Sequence, residues 1–117
     1  MPEQREEDHR PWGYYKVLDD SSGCKVKRIV VYSEKRLSLQ RHKKRDEHWF
    51  ILEGNARITL NEKIVDLVSG ECVDIKRRVL HRVENTGQKN LSFIEVQTGD
   101  YFGEDDIERV EDDFRRK

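Results

Sequence analysis

Gln40 and His42 stand two residues apart, Glu47 follows after four intervening residues, and His81 lies further along with Asn85 after it. Residues two apart on a strand point to the same face, so Gln40 and His42 project together. Glu47, opening the next strand, can lean onto the same pocket, and His81 can join from a later strand. Two imidazoles, one carboxylate and one amide oxygen suit a divalent cation. Zinc is the leading expectation, and iron, manganese, nickel or cobalt accept the same donors. Any one of these histidines alone would read as a surface or packing residue; only the set suggests a cation site. His48 alternates with Glu47 and should point the other way.

The elements that must position these residues read as strands. Residues 25–32, 49–52, 57–60, 64–67, 72–75 and 91–96 are rich in Val, Ile and Leu. Gly54-Asn55, Asn61-Glu62, Ser69-Gly70 and Asn85-Thr86-Gly87 punctuate them as turns. Short strands at even intervals argue for an all-β sandwich or barrel. After Gly103, Asp105 or Asp106 could cap a helix whose stripe is Ile107, Val110 and Phe114, so a short C-terminal helix is expected. Residues 1–9 are expected to be flexible and 10–117 to form one domain.

Composition bounds the function. The 117 residues are 40% charged and 34% hydrophobic, with a formal net charge of −1. That balance gives no general attraction to nucleic acid or anionic membrane. No apolar run approaches the roughly 20 residues that span a bilayer, and the polar start MPEQREEDHR is no secretory signal. Cys24 and Cys72 read as reduced thiols, and a cytoplasmic location is expected.

The ligand spacing resembles the two-part cupin signature, G-x5-H-x-H-x4-E-x6-G followed by G-x5-P-x-G-x2-H-x3-N, with Gln40 where most cupins carry their first His. Five ordered blocks narrow the resemblance. They are Arg10-Pro11-Trp12-Gly13-Tyr14, Leu37-Ser38-Leu39-Gln40-Arg41-His42, Arg45-Asp46-Glu47-His48-Trp49, His81-Arg82-Val83-Glu84-Asn85, and the run from Ile94 through Gln97-Thr98-Gly99-Asp100-Tyr101 to Ile107. Together they resemble the type II mannose-6-phosphate isomerase cupin, which in many bacteria is the C-terminal half of a bifunctional protein with mannose-1-phosphate guanylyltransferase. Three departures stand out. Lys43 and Lys44 replace a His-rich run, Lys76 and Arg78 replace the Pro and Gly of the second block, and Phe114-Arg115-Arg116 replaces a Tyr-Gly-Arg ending.

The resemblance implies a single cupin barrel (a double-stranded β-helix, or jelly roll) and a metal-dependent isomerase. That enzyme would interconvert mannose 6-phosphate and fructose 6-phosphate, with Gln40, His42, Glu47 and His81 as metal ligands. Glu95 and Gln97 share one face of the last strand, and if that face lines the interior Glu95 is the leading general base. Lys43, Lys44, Arg45, Arg78 and Arg82 surround the metal blocks in sequence and are expected to bind the substrate phosphate. Two rival classes remain. One is a cupin dioxygenase using His42, Glu47 and His81 as a two-His-one-carboxylate set. The other is a non-catalytic sugar or sugar-nucleotide binding module partnering a separate guanylyltransferase. A homodimer is expected, with residues 10–15 available to a neighbour's sheet; neither nucleic acid nor membrane is expected as a partner.

Overall fold

The computed structural model describes residues 7–112. Eleven strands form two antiparallel sheets, β1 (Glu7–Arg10), β2 (Gly13–Ser21), β3 (Cys24–Val31), β4 (Leu39–His42), β5 (Arg45–Glu53), β6 (Asn55–Leu60), β7 (Lys63–Val68), β8 (Cys72–Ile75), β9 (His81–Asn85), β10 (Leu91–Gly99) and β11 (Ile107–Glu111). The first sheet runs β1-β2-β3-β10-β5-β8 and the second β11-β4-β9-β6-β7. The all-β architecture is what the turn spacing predicts, and its jelly-roll form is what the cupin resemblance implies.

Alternation decides what lies inside. Ile29 and Val31 on β3, Leu91 and Phe93 on β10, and Trp49 and Ile51 on β5 face inward from the first sheet. Ala56 and Ile58 on β6 and Val83 on β9 face them from the second. These side chains form one continuous core with Trp12. Burying each large apolar side chain contributes about 1.5–3 kcal/mol. The core fills one end of the barrel; towards the other end the inward positions turn polar, and there the candidate site sits.

Three elements depart from the sequence reading. The helix expected after Gly103 is a single 3₁₀ turn, Glu104–Asp106, followed by β11. The Asp106 carboxylate, expected to cap that helix, accepts the backbone N–H groups of Lys43 at 3.2 Å and Lys44 at 2.9 Å. Ile107 and Val110 are three apart and mimic a helical stripe, but pairing of β11 with the open edge of β4 overrides that local preference. Phe114, the last residue of the expected stripe, lies outside the described residues. At the other terminus, β1 begins inside the segment set apart as flexible and pairs with β2. The segment at residues 10–15 thus belongs to the chain's own sheet, since β2 continues onto β3.

The signature's glycine positions keep their backbone shape even where the residue has changed. Gly54 has φ +94°, and a Cβ there would meet Asn90 O at 2.9 Å. Glu34 and Arg78 fall where the two blocks of the signature carry Gly, and both are left-handed, with φ 64° and 69°. The Arg78 turn has a structural task, since its N–H donates to the carbonyl of His42 at 2.6 Å. Arg77 N–H donates to Asp46 Oδ1 at 2.8 Å alongside it. A left-handed side chain costs about 1–2 kcal/mol, less the larger backbone entropy that glycine loses on folding. Arg78→Gly and Glu34→Gly are each expected to stabilise the fold by up to about 1 kcal/mol, seen as a higher urea midpoint with an unchanged slope. An unchanged or lower midpoint in both variants would show that neither turn is strained.

Candidate metal centre

Three strands, drawn from both sheets, bring the predicted ligands together. His42 ends β4 and His81 opens β9 in the second sheet, while Glu47 lies in β5 of the first. All three side chains are almost fully buried, and one donor atom from each lies within 4.8 Å of the others. His42 Nε2 stands 3.1 Å from Glu47 Oε2, and His81 Nε2 stands 3.9 Å from Glu47 Oε1. A tetrahedral ion with bonds of about 2.0–2.1 Å needs ligand atoms about 3.4 Å apart. The observed separations bracket that value, so the donor set fits such an ion.

The supporting contacts fit as well. His81 Nδ1 lies 2.9 Å from Val79 O, which places the proton on Nδ1 and turns Nε2 as an acceptor towards Glu47. Gln40 is the Cα partner of His81 across β4 and β9. Its amide nitrogen donates to Ser38 Oγ at 3.2 Å, leaving the amide oxygen as the group that can face a cation. His48 points outward, as alternation requires, and pairs with Asp74 at 2.7 Å.

Glu47 is the most heavily contacted acid of the centre. Besides its hydrogen bond with His42 it accepts from Arg45 Nε at 2.8 Å and Trp49 Nε1 at 3.0 Å. Burial alone would raise its pKa, but the His42 hydrogen bond and the charges of Arg45, His81 and His42 outweigh it and hold the carboxyl well below its usual range. Burial lowers the His81 pKa, with the Glu47 charge opposing, so the neutral imidazole that a metal requires is favoured.

Glu95 and Gln97 lie on the inward face of β10, both buried. Burial first, and the Glu47 charge second, push the Glu95 carboxyl up to about 7, against the opposing charges of Lys27 and Arg45. Gln97 Nε2 donates to Glu95 Oε2 at 2.6 Å and fixes the carboxylate's orientation.

The expected phosphate ligands separate into two groups. Arg45 and Arg82 line the cavity that holds the centre, together with Gln40, His42, Glu47, His81 and Glu95. Arg45 is committed to Glu47, and its Nη2 lies 3.3 Å from His42 Nε2. The Arg82 guanidinium is held by Leu37 O and Glu111. Lys43 and Lys44 are exposed and outside the cavity lining, and Lys44 lies over the Tyr101 ring instead. Arg78 is exposed in its turn and likewise outside the lining. Further cations lining the cavity are Arg10, Lys27 and Arg109, none of them flagged by proximity in sequence. For Lys27 a signal existed, since it is in phase with the inward Ile29 and Val31.

Comparison with known proteins agrees with this geometry. The family described as mannose-6-phosphate isomerase C-terminal matches residues 2–112. The chain belongs to that family. It is 44% identical over 108 residues to the xanthan biosynthesis protein XanB of Xanthomonas campestris pv. campestris, covering 92% of this chain and 23% of that protein. It is 44% identical over 110 residues to the alginate biosynthesis protein AlgA of Pseudomonas aeruginosa, covering 94% of this chain and again 23% of the relative. The chain thus spans about a quarter of the length of these relatives. Among solved structures, the capsular polysaccharide assembling protein CapF of Staphylococcus aureus superposes with a TM-score of 0.81 at 16% identity, over 95% of this chain and 33% of that one. Bacillus subtilis oxalate decarboxylase, described with Mn(II) centres, superposes with a TM-score of 0.77 at 19% identity, over 87% of this chain and 29% of that one. These likenesses establish the cupin fold of the family. No helix among the described residues is long and apolar enough to cross a membrane.

Removing one donor from a three-residue set should abolish tight binding. His42→Ala and His81→Ala are each expected to weaken Co(II) or Zn(II) binding by more than about 100-fold, beyond the effect of losing an outer hydrogen bond. Calorimetric titration with circular dichroism as a folding control checks this. Retention of full affinity in either variant would remove that histidine from the ligand set.

Proposed function

We propose that this domain is a metal-dependent aldose–ketose isomerase interconverting mannose 6-phosphate and fructose 6-phosphate, supplying GDP-mannose and polysaccharide biosynthesis. The observation that carries the reading is the placement of a buried, near-neutral carboxyl, Glu95, in the same cavity as the His42–Glu47–His81 cluster. Family membership and the XanB and AlgA relatives support it.

Each residue has a role that its position allows. His42, Glu47 and His81 would hold one divalent ion, with Gln40 adding its amide oxygen. Such an ion supplies Lewis-acid polarisation of the carbonyl and adjacent hydroxyl of an open-chain sugar. Glu95 takes the proton from the hydroxyl-bearing carbon beside the carbonyl and returns it to the former carbonyl carbon, while the hydroxyl proton passes between the two oxygens. A base with a pKa about 7 can both accept and return that proton near neutral pH. Gln97 positions the carboxylate through its hydrogen bond to Oε2. Trp49, beside Glu47 and His81, walls the cavity and limits water at the reacting carbons.

One experiment tests the reading. Formation of fructose 6-phosphate from mannose 6-phosphate is followed with the protein loaded in turn with Zn, Co, Mn and Fe(II). Glu95→Gln is expected to lower kcat by about 10²–10⁴-fold while leaving metal stoichiometry at the wild-type value. Oxygen consumption with Fe(II) in place of isomerisation would move the assignment to a dioxygenase. Ligand binding without turnover under every metal would move it to a sugar-binding module. The homodimer remains part of the proposal, since four strand edges end the two sheets and β7 carries Ile64 and Val68 well exposed. A light-scattering mass equal to one chain would remove it.

A further inference from the structure

The ammonium of Lys27 presents a problem that the metal centre does not answer. Lys27 lies on the inward face of β3 and is only 8% exposed. Among the described residues no carboxylate oxygen stands within 4.0 Å of its Nζ and no hydrogen bond reaches it; its close neighbour is the face of the Tyr15 ring, at 4.3 Å. A buried charge in that setting is expensive unless something pairs with it. A second buried donor shares the cavity wall. Trp12 is 4% exposed, and its Nε1–H has no acceptor. Lys27 is within electrostatic reach of Glu95 and Asp8, but neither it nor Trp12 has a hydrogen-bond acceptor among the described residues, and two such donors lining one cavity point to an acceptor that comes from outside the chain.

The ladder fixes where this end lies relative to the chemistry. Lys27 is the Cα partner of Glu95 across β3 and β10, and Glu95 is the partner of Trp49 across β10 and β5. Glu47 precedes Trp49 by two residues on β5 and faces the same way. Two inter-strand spacings, about 10 Å, therefore separate the strand of the metal cluster from that of the lysine, with Glu95 between them. An open six-carbon sugar phosphate carries its carbonyl and its phosphate at opposite ends of a chain of comparable reach. Lys27, Tyr15 and Trp12 line the same cavity as His42, Glu47, His81 and Glu95, so one molecule of that length can meet both groups at once.

Building on the isomerase reading, we propose that the end of the cavity formed by Lys27, Tyr15 and Trp12 is an oxyanion pocket that holds the phosphate of the sugar phosphate, while the metal cluster and Glu95 face its carbonyl. Lys27 supplies the charge, Trp12 Nε1 a directed hydrogen bond, and the Tyr15 ring supports the ammonium when the pocket is empty. Arg10, whose guanidinium carbon lies 5.9 Å from the Tyr15 ring centre and pairs with Asp8, adds positive potential at the mouth. The pocket takes the role that position in the sequence had suggested for Lys43 and Lys44.

The test is a titration of the purified chain with mannose 6-phosphate, inorganic phosphate and mannose, read by calorimetry and phosphorus NMR. Lys27→Met, Lys27→Arg, Trp12→Phe and the pair Lys43→Gln/Lys44→Gln run beside the wild type, each checked for an intact melting transition. Lys27→Met, which keeps the apolar stem, is expected to weaken mannose 6-phosphate about tenfold or more, as for a lost hydrogen bond to a charged group. Trp12→Phe is expected to weaken it about two- to tenfold, and Lys27→Arg to restore most of the affinity. Binding of mannose, which has no phosphate, should be the same in Lys27→Met and wild type. Undiminished phosphate affinity in Lys27→Met, or loss only in the Lys43/Lys44 pair, overturns the pocket. Turnover reports separately on the reaction. Lys27-dependent binding without isomerisation supports the pocket and sinks the isomerase. Isomerisation with an unchanged KM in Lys27→Met does the reverse.

Discussion

A carboxylate buried between two sheets constrains the whole molecule. Glu47 has lost nearly all contact with water, and a bare anion in that position would be untenable. Four neighbours make it tenable: His42 and His81 from the opposite sheet, and Arg45 and Trp49 from its own strand. Each of them must in turn be held. His81 leans on the Val79 carbonyl, the His42 carbonyl is met by the Arg78 turn, and Trp49 packs on Phe93 with ring centres 4.9 Å apart. The polar end of the barrel is thus built outward from one acid, and the apolar end supplies the rigidity that keeps the five groups in register.

The elements legible in the sequence are those whose alternation is carried by aliphatic residues. β3, β5, β6, β7, β8 and β10 could be read, with ends adjusted by a few residues. β4 (LQRH) and β9 (HRVEN) show no hydrophobic alternation and were inferred only from the donor spacing, since the inward places are taken by Gln40, His42 and His81. Polar side chains there displace the hydrophobic signal. β1 and β2 are hidden by charges, and β11 has a spacing that suits a helix equally well until β4 offers it an edge. The candidate metal donors were legible because Gln40 and His42, two apart, share a strand face, and Glu47 and His81 complete a set of donors suited to one cation. Lys27 was not singled out, because only the pairing of β3 with β10 brings it beside Glu95. A lysine in phase with Ile29 and Val31 was nonetheless a readable anomaly.

The departures from the cupin signature follow the same logic at the level of the backbone. Side chains at Glu34 and Arg78 have changed from the pattern, yet the chain still turns through the left-handed region at both places. The geometry is demanded by what the turns hold. At Arg78 that is the N–H facing the His42 carbonyl, so the fold tolerates local strain in preference to releasing the end of β4. Lys43 and Lys44 show the converse: their side chains are free to vary, because their backbone N–H groups carry the structural contact to Asp106.

The cluster draws His42 and His81 from one sheet and Glu47 from the other, at the end where the β4–β5, β8–β9 and β10–β11 connections cross between the layers. An ion held by all three would act as a rivet through the sandwich. The two layers could part at the polar end only by releasing it, so metal exchange and the slow breathing of the barrel would be one event, and the resistance of the domain to heat would rise with the free concentration of its ion.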